Sequence, residues 1–137
     1  MKKILFICTG NSGRSIMAEV LMRHLGKGEY QAFSAGAVPT GVVNPLTLQT
    51  LKKHSHDTMG LRSKPLDEFL DEDLDIVVTV CDAAKEACPV WPKKTLVLHW
   101  SFEDPAAFEG TEEEKRAFFE KIYRQIEEKI GEFLGGG

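Results

Sequence analysis

Lys3-Ile4-Leu5-Phe6-Ile7-Cys8-Thr9-Gly10-Asn11-Ser12-Gly13-Arg14-Ser15 is the stretch whose reading decides the fold. Residues 3–8 read as a short strand whose apolar run, Ile4 to Cys8, is the pattern of a strand covered on both faces. Residues 9–13 hold two glycines and no large apolar side chain, which marks a turn. After it, Met17, Val20, Leu21 and Leu25 fall at helical spacing, so the spacing predicts a helix over 14–25. A buried strand, a glycine turn and a helix in that order open a βαβ unit.

The rest of the chain repeats that alternation. Residues 30–35 read as a second strand ended by Gly36, and residues 39–45 as a loop. Asn44-Pro45 supplies the cap and first position of a helix running through residue 54. Residues 67–70 form a short helix or turn. Ile76, Val77, Val78 and Val80 mark a third strand over 75–80, and residues 95–100 a fourth. Thr111-Glu112-Glu113-Glu114 is a capping box, followed at spacings of three and four by Phe119, Ile122, Ile126, Ile130 and Phe133. The glycines 135–137 close that helix. The expected fold is α/β: one domain over residues 1–137, with a four-stranded parallel sheet flanked by helices.

Composition excludes several classes. A chain of 137 residues buries roughly 68% of its unfolded surface and needs no covalent staple. Lys and Arg total 17 against 21 Asp and Glu, a net charge of −4, which argues against nucleic acid or an anionic membrane as partner. No apolar run approaches the ~20 residues of a membrane span. The five apolar residues after Met1-Lys2-Lys3 are too few for the ~7–15-residue core of a signal peptide, so a cytoplasmic location is expected. A monomer is expected as well. The three cysteines, Cys8, Cys81 and Cys88, include no Cys-x-x-Cys pair, and His24, His54, His56 and His99 show no metal-ligand spacing. No resident metal or cofactor is expected.

In open parallel sheets, ligands bind beyond the carboxyl ends of the strands. Cys8 ends the first strand and Cys81 the third, so two of three thiols belong to that crevice. Residues Thr9, Gly10, Asn11, Ser12, Gly13, Arg14 and Ser15 then form an oxyanion loop. Gly10 and Gly13 let backbone N–H groups turn inward, the following helix adds its positive end, and Arg14 grips two oxygens of a tetrahedral anion. The same donors, with the Ser15 hydroxyl, favour a thiolate at Cys8, the form in which a cysteine is a nucleophile.

This loop resembles that of the low-molecular-weight protein tyrosine phosphatases and of the arsenate reductases built on the same fold. Cys81, Cys88-Pro89, the segment His99-Trp100-Ser101-Phe102-Glu103-Asp104-Pro105-Ala106 and Gly110–Lys115 resemble the thioredoxin-coupled arsenate reductases in particular. The resemblance implies a relay. Cys8 attacks arsenate, Cys81 attacks Cys8 and releases arsenite, and Cys88 attacks Cys81 to leave a Cys81–Cys88 disulfide that thioredoxin reduces. Arsenate, phosphate or sulfate are the implied loop ligands, and Asp104 is the implied general acid.

Residues 82–87 have good helix propensity. If helical, Cys81 and Cys88 lie about 10.5 Å apart along the axis, whereas a disulfide needs Cα atoms roughly 4.4–6.8 Å apart, so oxidation would unwind that turn.

Some related reductases hold potassium near the loop. Asn11, Glu19 and Ser34 match three of its residues, and Lys64 stands where a carboxylate is expected, so its ammonium would replace the ion. Many relatives also carry a cysteine where this loop has Gly13. The competing readings are a small phosphatase, which would need only Cys8, or an oxyanion or redox sensor. Ala106-Ala107, where phosphatases usually place aromatic residues, favours a small inorganic substrate.

Overall fold

The computed structural model describes residues 1–81 and 90–135. Four strands, β1 (Lys2–Cys8), β2 (Tyr30–Gly36), β3 (Ile76–Thr79) and β4 (Leu96–His99), form one parallel sheet in the order β2-β1-β3-β4. Among the described residues the helices are α1 (Arg14–Leu25), α2 (Pro45–Lys53) and α3 (Glu112–Gly135), with short 3-10 turns at Leu66–Phe69 and Pro105–Ala107. The expected α/β architecture is therefore the observed one. The sheet grows to one side of β1 with β2 and to the other with β3 and β4. The order in which strands are added thus reverses beside β1, and a crevice opens there above the strand ends.

β1 is central, and its Ile4, Leu5, Phe6 and Ile7 are fully buried, which explains the unbroken apolar run. Glu19 of α1 reaches Ser34 on one face of the sheet, while Phe33 packs on Phe69 of the first 3-10 turn. Trp100, just past β4, lies between Phe6 and Phe133 of α3. α1 runs over β1 and β2 and packs on α3. Met17 and Leu21 are sealed, Val20 nearly so, while Leu25 at the end of the helical stripe is exposed.

The local start signals are realised in atoms. Asn44 caps α2 by accepting the Leu46 N–H at 2.9 Å, with Pro45 at the first position. Thr111 and Glu114 exchange side-chain-to-backbone bonds of 3.0 and 3.1 Å at the start of α3. Phe119, Ile122, Ile126 and Ile130 of α3 are buried, each contributing about 1.5–3 kcal/mol through removal from water. The third strand is shorter than the expected 75–80 by one residue at each end, although the Asp75 and Val80 N–H groups still donate to the Lys3 and Ile7 carbonyls of β1 at 3.0 and 2.9 Å.

Where α1, α2 and α3 converge, three imidazoles meet. His54 accepts a parallel stack from Tyr123 at 4.1 Å and bonds Glu120 at 2.8 Å, while His56 bonds the Tyr123 hydroxyl at 2.7 Å. His24 meets His56 edge-on. Burial pushes the Tyr123 phenol up to about 12. Burial, then the neighbouring His24 and His54, hold the His56 imidazole below its ordinary value against the pull of Glu127. Glu120 is net lowered: burial pushes it up, but His54, Lys53 and Arg124 together outweigh that.

A histidine held low binds fewer protons folded than unfolded. Its contribution is complete above the unfolded value of 6.5 and is lost as pH falls from there through the folded value. Glu120 acts in a separate window, below its ordinary carboxylate value of 4.5. Urea denaturation at pH 7.5 and 5.5 is therefore expected to show a lower midpoint at pH 5.5. The drop should be smaller in His56→Gln.

Candidate active site

The loop after β1 sits at the sheet's reversal point, and its peptide groups are held in one orientation from outside. The Cys8 carbonyl accepts the Ala37 N–H at 3.0 Å, and the Thr9 carbonyl the Val38 N–H at 2.9 Å. The Gly10 carbonyl accepts the Thr40 N–H at 3.1 Å and the Ser63 hydroxyl at 2.8 Å. The Ser12 carbonyl accepts the Asn44 N–H at 3.0 Å and the Thr47 hydroxyl at 2.8 Å. The Gly13 carbonyl takes the Met17 N–H in the first turn of α1. In a trans peptide the C=O and the next N–H point oppositely, so carbonyls fixed outward turn the following N–H groups inward. The result is an anion-binding concavity.

Cys8 lies at its base, 3% exposed. The Asn11 N–H donates to Cys8 Sγ at 3.1 Å, and Ser15 Oγ lies 2.8 Å from the same sulfur. Asn11 Nδ2 donates to Ser15 Oγ at 2.7 Å, which leaves the Ser15 proton to point at the sulfur. The Lys64 N–H in turn donates to Asn11 Oδ1 at 2.9 Å. The donors form a directed chain ending on sulfur, and charge-assisted bonds of this kind favour an anionic acceptor.

The loop contains one left-handed residue, and it is not a glycine. Neither Gly10 nor Gly13 takes the left-handed bend; Asn11 does, with φ 49°. Asparagine tolerates that region when its short amide finds local partners, and here both ends of the amide are bonded. Gly13 instead forms the N-cap of α1 with no side-chain cap, which leaves the helix N–H groups free to meet an anion. A side chain would fit there, since an added Cβ would meet only Thr47 Oγ1 at 3.6 Å. The glycine required by packing is Gly36, where a Cβ would stand 2.8 Å from the Thr9 carbonyl oxygen.

Arg14 donates to the Phe102 carbonyl at 2.9 Å and stands 3.7 Å from Asp104. Asp104 also accepts the Ala106 N–H at 3.0 Å, capping the second 3-10 turn. The expected acid and the expected anion grip therefore share one wall of the crevice. Beside them a groove of about 280 Å³ is lined by Pro45, Gln49, Pro105, Phe108 and Lys115. Phe108 was not singled out in the sequence because it stands two residues beyond Ala106.

Cys81 is a buried free thiol whose Sγ lies 3.4 Å from Thr9 Oγ1. The second cysteine thus touches the first residue of the loop. Cys88 and the expected helix over 82–87 lie outside the described residues. His99 is a strand residue bonded through Nδ1 to Thr79 Oγ1 at 2.7 Å.

Beneath the loop lies a buried ionic cluster. Glu19, 3% exposed, pairs with Arg23 at 2.8 Å and with Lys64 Nζ at 3.4 Å, and accepts the Ser34 hydroxyl. Lys64 Nζ also donates to Ser34 Oγ at 3.2 Å and to the Arg62 carbonyl at 3.1 Å. Burial pushes the Lys64 ammonium below its ordinary value, and Glu19 opposes that. Among the described residues no group of three or more His, Cys, Asp or Glu side chains could hold a metal ion.

Comparison with known proteins places this geometry among relatives. Residues 3–135 match the low molecular weight phosphotyrosine protein phosphatase family. The chain is 40% identical to an arsenate reductase of Bacillus licheniformis, over 99% of this chain and 97% of that protein. It is similar to a solved arsenate reductase in the phosphate-binding state, with a TM-score of 0.78 and 27% identity over 99% of this chain and 98% of that one. It is also similar to a thioredoxin-dependent arsenate reductase of Corynebacterium glutamicum, with a TM-score of 0.68 and 27% identity over 96% of this chain and 62% of that one.

Ser15→Ala removes the hydroxyl that faces the sulfur. Iodoacetamide should then alkylate Cys8 about tenfold more slowly at pH 7, the scale of losing one hydrogen bond to a charged group.

Proposed function

The chain belongs to the low-molecular-weight phosphotyrosine protein phosphatase family, and from that premise we propose that it reduces arsenate to arsenite through Cys8, Cys81 and Cys88, with thioredoxin as electron donor. The observation that carries this reading is Cys81 at the loop rim, 3.4 Å from the Thr9 hydroxyl. Phosphate-ester cleavage on this loop needs the first thiol only. A second free thiol reaching the same loop suits chemistry in which sulfur supplies electrons.

The loop N–H groups of residues 9–15 and the Arg14 guanidinium bind the oxyanion. The Cys8 thiolate attacks arsenic, a sulfur–arsenic bond forms, and an arsenic oxygen leaves as water after taking a proton, with Asp104 on the Arg14 wall as its donor. Cys81 then attacks the Cys8 sulfur. The new sulfur–sulfur bond replaces the sulfur–arsenic bond, whose electron pair stays on arsenic, and arsenite departs. Cys88 attacks Cys81, which frees Cys8 as a thiolate and leaves a Cys81–Cys88 disulfide. A thioredoxin dithiol returns two electrons and two protons to that disulfide. The net change is arsenate and a dithiol to arsenite, water and a disulfide.

The cluster below the loop does not fit a potassium ion. The Lys64 ammonium already sits against Glu19, Ser34 and the Arg62 carbonyl, where an ion would take its oxygen ligands. Lys64 serves in place of that ion, and the reaction has no step through potassium.

A phosphatase side activity is favoured by the groove beside Asp104, where Phe108 and Pro105 offer an aryl group a wall. Arsenate-dependent NADPH consumption with thioredoxin and thioredoxin reductase separates the two readings. Cys8→Ser, Cys81→Ser and Cys88→Ser should each abolish it. Aryl-phosphate cleavage should be lost in Cys8→Ser alone. If turnover of arsenate survives in Cys81→Ser and Cys88→Ser, the relay is wrong. Replacing sodium by potassium at equal ionic strength should leave melting temperature and arsenate turnover unchanged; a potassium-induced rise in either contradicts the role given to Lys64.

A further inference from the structure

Thr47 touches no sulfur, belongs to no part of the loop and is fully buried, yet its hydroxyl crosses to the Ser12 carbonyl, 35 residues away in sequence. Its neighbour on α2 behaves differently. Thr50 donates to the Leu46 carbonyl at 2.7 Å within its own helix, the usual outlet for a helical threonine. Thr47, in the first turn, has no carbonyl four residues back within its helix, and its hydroxyl binds the loop.

The peptide it reaches leads into a glycine. Gly13 follows Ser12 and carries no side chain; an added Cβ would meet Thr47 Oγ1 itself in ordinary contact, at 3.6 Å. With no side chain of its own, Gly13 does not fix the orientation of the Ser12–Gly13 peptide. Two hydrogen bonds on one carbonyl do, the Asn44 N–H at 3.0 Å and the Thr47 hydroxyl at 2.8 Å. Together they occupy both lone pairs of that oxygen. Both donors come from the first turn of α2 or its cap, and Asn44 is held by its own bond to Leu46. The Gly13 N–H, at the N-cap of α1, is thereby turned into the concavity of the loop.

We propose that Thr47 is a positioning residue for oxyanion binding: by fixing the Ser12 carbonyl it aims the Gly13 N–H into the loop. This rests on the oxyanion-loop reading above and deepens it. A threonine that merely fills its site would contribute to folding and nothing to the anion.

The test uses the reduced full-length protein and inorganic phosphate. Calorimetric titration is run on wild type, Thr47→Val, which keeps the shape and removes the donor, and Thr47→Ser, which keeps the donor. Phosphate should bind Thr47→Val about tenfold more weakly than wild type, and Thr47→Ser within about twofold of it, as expected for one donor behind a charged ligand. Melting temperatures without phosphate should not follow that order. Should Thr47→Val not fold, Thr47→Ala takes its place. Equal binding by the donorless variant overturns the proposal, as does equal weakening in Thr47→Ser or a loss of affinity that tracks lost stability. If wild type binds neither phosphate nor arsenate, the oxyanion-loop reading itself falls instead.

Discussion

The site depends on the outward fixing of five loop carbonyls. An anion-binding turn is unfavourable on its own, because converging N–H groups repel one another and every carbonyl must find a donor elsewhere. Here the donors come from residues 37–47, from Ser63 and from the first turn of α1. The sheet supplies the rest of the constraint. β1 and β2 are paired from Lys2↔Tyr30 to Cys8↔Gly36, so the segment leaving β2 is delivered alongside the loop leaving β1. Gly36 allows the closest approach, and the Ala37 and Val38 N–H groups meet the loop immediately after.

The cluster of Glu19, Arg23, Ser34 and Lys64 secures the same loop from below. A buried carboxylate with two cationic partners and a hydroxyl is tolerated, whereas removal of one partner typically costs about 3–5 kcal/mol because a charge is stranded. Lys64 links the cluster to the chemistry through its backbone: its side chain neutralises Glu19, and its N–H holds the Asn11 amide that orients Ser15. A charge balance under the sheet and a proton direction at the sulfur thus meet in one residue.

What could be read from sequence was what is local. Strand β1, the two capped helices, Cys8 at the end of β1 and Cys81 just beyond β3 follow from short-range pattern, and the Thr111–Glu114 box forms as its spacing implies. The placing of Lys64 beside Glu19 and Ser34 was legible only through a family resemblance, since those residues are 45 and 30 positions away from it. Thr47 and Ser63 gave no sign in the sequence. A threonine in a helix and a serine in a loop are ordinary, and their role depends on which carbonyl lies opposite in three dimensions. The left-handed bend of the loop is equally unmarked in the sequence, where two glycines stand beside it. Asn11 takes it because two tertiary bonds on its amide offset the backbone cost.

The interleaving of loop and surroundings also limits how the motif can travel. The eight residues from Cys8 to Ser15 do not contain the instructions for their own shape. Grafted onto another strand–helix corner they would lack the partners that orient Cys8, Thr9, Gly10 and Ser12, and the chain would relax into an unremarkable turn. The inheritable unit is discontinuous, made of three separated pieces of backbone and a helix start. Divergence of the reaction on this scaffold is therefore easiest at the rim, where Cys81 and Phe108 stand, and hardest in the unexposed stretch that never meets a substrate.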